Sequence, residues 1–287
     1  MKTRTWFQAV IRIDERYQDL LVGLLVQIGF TGFVQEDKLL KCILPKQKWN
    51  NDFKNKFELT LAKFKVEFPS FDLSYSGLKI HEENWNKKWE NQTGIVAATP
   101  NIIIKPSWKK LPKRHSKKLV LHIDPKMSFG TGHHETTRLS LSLLELFLEP
   151  KMKVLDFGTG TGILGIACIK LGAESVFAID NDEWAIENTK ENLKRNGVQK
   201  QMIVKLGSVS IIPRRKFDLI VANIDFHTIS RFISSLTSRT RKQGIIILSG
   251  ILTSDLQVLL KLFAKNELVP IDLINENEWT SVALRRM

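Results

Sequence analysis

Residues 154–180 read VLDFGTGTGILGIACIKLGAESVFAID, and this stretch decides the fold. Val154-Leu155-Asp156-Phe157 is a short apolar run of the kind that forms a strand buried in a parallel sheet. Gly158-Thr159-Gly160-Thr161-Gly162 follows at once, and glycines there let the backbone turn tightly and lie close to a ligand. Ile163, Leu164, Ile166, Ala167 and Ile169 then predict a helix packed on the sheet and ending near Gly172. A second strand, 175–179, ends on Asp180, an acid placed to accept both hydroxyls of a ribose. The order is strand, glycine loop, helix, strand, acid. It implies a ligand that contains a nucleoside.

The spacing of the glycines narrows the ligand. A dinucleotide fingerprint needs G-x-G-x-x-G, whose third glycine lets helix and strand pack closely. Here Ile163 stands at that position and the third glycine comes one residue early, at Gly162. A G-x-G-x-G turn with Asp180 placed 22 residues after Gly158 suits a cofactor without a pyrophosphate. S-adenosylmethionine is the expected one, and a methyltransferase the expected enzyme.

The chain has 287 residues, enough for two domains. Its 43% hydrophobic and 25% charged content is that of an ordinary globular protein. No run of about 18 apolar residues exists, so no membrane span is expected. The N-terminus, MKTRTWFQAVIRI, lacks the apolar core of a signal peptide. Cys42 and Cys168 lie far apart among apolar neighbours, which fits core thiols in a reducing cytoplasm. With 43 basic and 30 acidic side chains the net charge is +13, which favours encounter with nucleic acid or a ribonucleoprotein. Part of that excess sits in 105–118, where seven of 14 residues are Lys or Arg. A solvated loop between strands explains this run; a weak contact with rRNA is the functional alternative.

Residues 5–13 alternate as a strand, and 14–29 follow with the apolar spacing of a helix. Residues 32–34 and 39–44 read as two strands, the second stopped by Pro45. Phe53, Phe57, Leu61 and Phe64 recur at helical spacing, and 72–80 is a last strand. The order β-α-β-β-α-β is that of a small α+β ferredoxin-like domain spanning 1–80. It carries no chemical constellation, so its expected job is recognition. Residues 81–93 are expected to form a linking helix with Trp85 and Trp89 on one face. A hairpin at 95–104 opens the second domain, 94–287.

Within that domain, residues 122–138 read HIDPKMSFGTGHHETTR, a flexible segment rich in donors that ends on a helix. Thr136 and Thr137 fall in the first turn, where free N–H groups and the helix dipole favour a carboxylate such as the methionyl end of the cofactor. His133 and His134 invite a metal reading. Adjacent histidines point apart, however, and no Cys or further His cluster joins them, so no metal is assigned. Beyond Asp180, a helix expected to bury Trp184, Ile186 and Leu193 is followed by strands at 202–206, 217–222 and 244–248. A helix at 256–263 and a terminal hairpin at 268–273 and 279–284 complete a Rossmann-like, seven-stranded class I methyltransferase domain. Its ligands should bind beyond the carboxyl ends of the strands, where Asp156, Gly158, Asp180 and Asn223 lie.

Asp124-Pro125, Phe129-Gly130-Thr131-Gly132-His133, Thr136-Thr137, the glycine loop, Asp180, Ala222-Asn223-Ile224 and 248–252 (LSGIL) occur in one order. Together they resemble the PrmA family, which methylates protein eleven of the large ribosomal subunit. The resemblance is strong from about Trp85 onward and rests mainly on pattern and length before that. It implies that Thr137, Gly158, Gly160, Asp180 and Asn223 contact S-adenosylmethionine and that Asn223 also holds the reacting amine. It implies lysine side chains and the N-terminal amine as acceptors and a recognition role for the first domain; separately, a cytoplasmic monomer is expected. The expected reaction is in-line displacement by a neutral amine, without a metal.

Two rivals come from other classes. A nucleic-acid methyltransferase fits the charge, but such amino-methylating enzymes often carry Asn/Asp-Pro-Pro-Tyr after the fourth strand, and here 223–226 reads Asn-Ile-Asp-Phe. A non-catalytic ribosome-binding factor would have no need of an intact Gly158, Asp180 and Asn223. A nicotinamide dehydrogenase is disfavoured by Ile163.

Overall fold

The computed structural model describes residues 5–36, 38–68, 74–81, 94–124 and 128–287. The chain divides into two compact units, Met1–Gln92 and Thr93–Met287. The helix expected at 81–93, with Trp85 and Trp89, lies outside the described residues except for His81, which ends a strand.

The first unit begins with β1 (Thr5–Arg12), whose alternation puts Phe7, Ala9 and Ile11 inside. Helix α1 (Glu15–Ile28) starts where the Asp14 carboxylate accepts the Arg16 N–H, and ends at Gly29 in the left-handed region. β2 (Gly32–Glu36) and β3 (Leu39–Pro45) pair antiparallel. Helix α2 (Asn51–Glu67) is capped by Asn50 and buries Phe57, Leu61 and Phe64. β4 (Ser74–His81) pairs antiparallel with β1, completing a sheet of order β2-β3-β1-β4. Tyr17, Trp49 and Phe53 close the edges of this core, and the rings of Phe7 and Trp49 stack 3.7 Å apart. Burial in this core pushes the Cys42 thiol up to about 12, so it acts as an apolar filler.

The second unit opens on a three-stranded sheet of order β5-β6-β7, made of β5 (Val96–Ala97), β6 (Ile102–Lys105) and β7 (Leu119–His122). β7, which the sequence pattern does not announce, runs parallel to β6, so the basic run 105–118 is the crossover between them. The main sheet has the order β10-β9-β8-β11-β12-β14-β13. β8 (Lys153–Phe157), β9 (Ser175–Asp180), β10 (Met202–Leu206), β11 (Phe217–Asn223) and β12 (Thr240–Leu252) are mutually parallel. β13 (Leu268–Glu276) and β14 (Trp279–Arg286) form the terminal hairpin, and β14 runs antiparallel to β12.

Strand residues alternate between two cores, one on each face. Val154, Val176, Ala178, Leu219, Val221 and Ile247 pack with α3 (Glu135–Phe147), α4 (Ile163–Lys170) and α5 (Glu183–Asn196). Leu155, Phe177, Ile179, Ile220 and Ile246 pack with α6 (Phe226–Arg239) and α7 (Leu256–Lys265). Each fully buried side chain of this kind contributes about 1.5–3 kcal/mol. This is a mixed α/β, Rossmann-like unit, and its parallel strands β8 to β12 point their carboxyl ends toward one rim.

The face of α5 differs from expectation. Trp184 is only half-buried, and the buried side carries Asn188, Thr189 and Asn192 beside Ile186 and Leu193. The reason is hydrogen bonding. The Asn192 amide nitrogen donates to the Thr161 carbonyl at 2.9 Å, and its oxygen accepts the Asp124 N–H at 3.0 Å. Asn196 grips both the N–H and the C=O of His122. These amides tie β7 and the glycine loop to the same helix.

Candidate active site

A cavity of about 320 Å³ opens at the carboxyl rim of the main sheet, within the size range of small-molecule sites. Its wall includes Thr137 on α3, Gly158 and Gly160 after β8, Asp180 at the end of β9, and Asn223 at the end of β11. Four different elements therefore bring the five expected site residues to one cavity.

The glycine loop is braced from beneath. Asp156 is fully buried, and its Oδ2 accepts the Thr159 hydroxyl at 2.6 Å and the Gly165 N–H at 3.0 Å. Burial pushes this carboxyl up to about 6, against the lowering effect of those two donors. Asp156 is thus a strut for the loop, beneath rather than on the cavity wall. Above the loop, the Thr161 N–H donates to the Phe129 carbonyl at 2.9 Å and the Thr161 hydroxyl to the Gly130 carbonyl at 2.7 Å. The two sequence motifs are therefore zipped together. Gly160 sits at φ +57° with the Phe129 carbonyl 2.4 Å from where a Cβ would lie.

Asp180 holds the loop from the far side. Its Oδ2 accepts the Gly160 N–H at 2.9 Å and its Oδ1 the Asp182 N–H at 3.0 Å. Each carboxylate oxygen retains a lone pair for a ligand hydroxyl. Ser208 follows β10 and joins the same part of the wall. Thr137 is fully buried, and its hydroxyl has no partner among the described residues. An orphaned hydroxyl on a cavity wall is a group waiting for a polar ligand.

At the start of α3, one expectation needs amending. The Thr136 N–H is not free: it donates to Nδ1 of His134, the N-cap residue. The helix end offers its dipole and the Thr137 hydroxyl rather than an open N–H at that position. The Thr136 hydroxyl meets Nδ1 of His134 at 2.9 Å and accepts from the Asn223 amide at 3.1 Å. The Ser249 hydroxyl, in β12, donates to the Thr136 carbonyl at 2.9 Å.

The cavity residues fit a nucleoside-bearing sulfonium ligand: ribose acceptor, close-approach glycines, orphan hydroxyl and apolar wall are all present. A family model described as Ribosomal protein L11 methyltransferase (PrmA) matches residues 5–287. The chain belongs to the PrmA family. It is 32% identical to the ribosomal protein L11 methyltransferase of Chlorobaculum parvum, over 99% of this chain and 97% of that protein. The counterpart from Caldicellulosiruptor saccharolyticus is 30% identical over 98% of this chain and 99% of its own. The crystal structure of a ribosomal protein L11 methylase from Lactobacillus delbrueckii subsp. bulgaricus superposes with a TM-score of 0.63 at 30% identity. It covers 67% of this chain and 99% of that one. As a PrmA member the chain is an S-adenosylmethionine-dependent methyltransferase acting on ribosomal protein L11.

Asp225 follows the PrmA Asn-Ile pair closely enough to look like a base for the acceptor amine. It is the N-cap of α6: Oδ1 accepts the Thr228 N–H at 3.0 Å and Oδ2 the Thr228 hydroxyl at 2.6 Å. Those hydrogen bonds hold its carboxyl below the usual range. A depressed carboxyl stabilises the fold above its unfolded pKa, and the gain is lost as pH falls through the folded value. Asp225→Ala should therefore cost about 1 kcal/mol at neutral pH, with the deficit shrinking in acid, as read by denaturant unfolding. Methyl transfer should stay within a few-fold of wild type. A stable but inactive variant would show that Asp225 acts on the amine.

Proposed function

We propose that the acceptors are amines of ribosomal protein L11, both lysine side chains and the N-terminal amine. Thr137, Gly158, Gly160, Asp180 and Asn223 form the seat of S-adenosylmethionine, and Asn223 also holds the acceptor. When bound, the cofactor supplies a methyl group activated on a sulfonium.

One observation carries the assignment. Asn223 lies on the cavity wall with its amide nitrogen committed to Thr136, and among the described residues its amide oxygen is given to no donor. That oxygen can accept an N–H of the incoming amine and aim the nitrogen lone pair. A free lysine has a pKa of about 10.4 and an N-terminal amine about 7.7–8.0, so the lysine must shed a proton first. Phe129, Phe157, Ile163 and Phe232 line the cavity, and such apolar walls penalise the ammonium form. Phe129 is 54% exposed on that wall and offers its ring to an incoming side chain. The chain's work is thus to orient the amine, desolvate it and exclude water.

The first unit serves as the recognition domain. A sheet of order β2-β3-β1-β4 with two helices supports a ferredoxin-like reading. The basic run 105–118 makes at most a weak contact with rRNA. The enzyme works as a monomer in the cytoplasm; among the described residues no helix is long and apolar enough to cross a membrane.

The test offers the protein labelled S-adenosylmethionine with either ribosomal protein L11 or rRNA. Mass spectrometry of the products should place methyl groups on lysine and N-terminal amines of the protein. Label in rRNA, or on side chains other than amines, would overturn the proposal.

A further inference from the structure

We infer that His134 is a positioning residue: through the Thr136 hydroxyl it sets which end of the Asn223 amide faces the acceptor amine. The inference rests on the role proposed for Asn223. It follows from counting protons along three contacts. The Thr136 N–H donates to His134 Nδ1 at 3.3 Å, so that nitrogen is an acceptor and the ring N–H is Nε2; the Glu135 carboxylate, 3.8 Å from Nδ1, lies beyond hydrogen-bond distance. The Thr136 hydroxyl lies 2.9 Å from the same Nδ1, closer than the N–H, and with Nδ1 as acceptor it shares that lone pair by donating its single proton to it. Having done so, it can only accept from Asn223. The group 3.1 Å away is therefore the NH₂ end, and the carbonyl oxygen is left for the substrate.

Reverse the first step and the last one reverses. Without an acceptor at 134, the Thr136 hydroxyl is free to donate to Asn223. The amide can then turn over and face the substrate with its NH₂ group, which cannot accept an N–H. The remaining Thr136 contacts do not prevent this, because the carbonyl of Thr136 is taken by Ser249 and Ser140 while its hydroxyl stays free to rotate.

The imidazole is well placed to hold its position. Its ring meets Trp279 edge-on at 5.0 Å and Phe129 at 5.4 Å. His134 thus has two separable features: a ring that packs, and a nitrogen that accepts. Asparagine keeps the acceptor, since its Oδ1 is also a favoured N-cap group, but loses the ring. Phenylalanine keeps the ring and loses the acceptor.

Three variants, H134A, H134N and H134F, should be compared with wild type for single-turnover methyl transfer to ribosomal protein L11. The KM for S-adenosylmethionine and thermal unfolding should be followed in parallel. H134A and H134F should lose about tenfold in kcat, the effect of misdirecting one hydrogen bond, with little change in that KM. H134N should recover most of the rate. A fast H134F, or an H134N as slow as H134A, would overturn the inference. If a position 134 variant does not fold, Thr136→Val and Thr136→Ser pose the same question. Valine should reproduce the tenfold loss and serine should not; an active valine variant overturns the inference. Asn223→Ala serves as control. If its turnover is near normal, the role of Asn223 itself is wrong. If it collapses while H134F and Thr136→Val stay fast, only the role of His134 is wrong.

Discussion

Replacing Asn223 with alanine should lower methyl transfer by about 100-fold or more, with cofactor binding weakened far less. The side chain is half-buried and makes one hydrogen bond to the protein, so the fold should lose only about 1 kcal/mol. The rate suffers more because it depends on where the amine nitrogen sits. Losing the group that fixes a reacting atom within a fraction of an ångström commonly costs two orders of magnitude. Asn223→Asp sharpens the test. A carboxylate still accepts an N–H, but it also favours the ammonium form, so the variant should be slow near neutral pH and improve as pH rises. Labelled-methyl transfer to ribosomal protein L11 across pH reads both. A near-normal alanine variant would remove Asn223 from the reaction.

The second large effect is expected at Gly160→Ala. At φ +57° an L-residue pays about 1–2 kcal/mol. The new methyl would also lie 2.4 Å from the Phe129 carbonyl, which is backbone and cannot simply rotate away. That carbonyl accepts the Thr161 N–H, and Asp180 accepts the Gly160 N–H. Relief of the clash therefore parts the two motifs and shifts Asp180. Binding of S-adenosylmethionine should weaken by about 100-fold in calorimetry, and the unfolding midpoint should fall. Binding within a few-fold of wild type would mean that the loop has slack the geometry does not show.

Much of the candidate site is legible in the sequence, and the reason is spacing. Gly158, Gly160 and Asp180 stand at intervals dictated by a strand–turn–helix–strand unit, and Asn223 ends an apolar run of strand length. Other features leave weaker traces. Asn188 and Asn192 are buried where hydropathy predicts exposure: Asn192 bonds to the backbone of Asp124, just after β7, and of Thr161 in the glycine loop, and Asn188 accepts from Asn192. Trp184 is large and apolar yet only half-buried, since the polar contacts fix the rotation of α5. β12 runs from Thr240 to Leu252, well beyond the expected 244–248. Gln243 at positive φ precedes its regular part, and a register shift between Leu248 and Ile251 with Gly250 at φ +83° follows it. The α6 helix was marked by Asp225 and by Ile229, Ile233 and Leu236 at helical intervals, a signal readable in hindsight. The link from His134 to Asn223 spans 89 positions of sequence and exists only once β11 lies beside α3.

The terminal hairpin has a bearing on how the molecule is made. β14 is wedged between β12 and β13, so in the described sheet β13 has no strand neighbour until β14 is in place. The same hairpin carries Glu276, which pairs with Arg138, and Asn277, which donates to Glu135, both on α3. A growing polypeptide still threaded in the exit tunnel therefore lacks the clasp that steadies the front of α3. Loss of residues 276–287 should therefore strip α3 of that clasp and leave β13 without its partner strand.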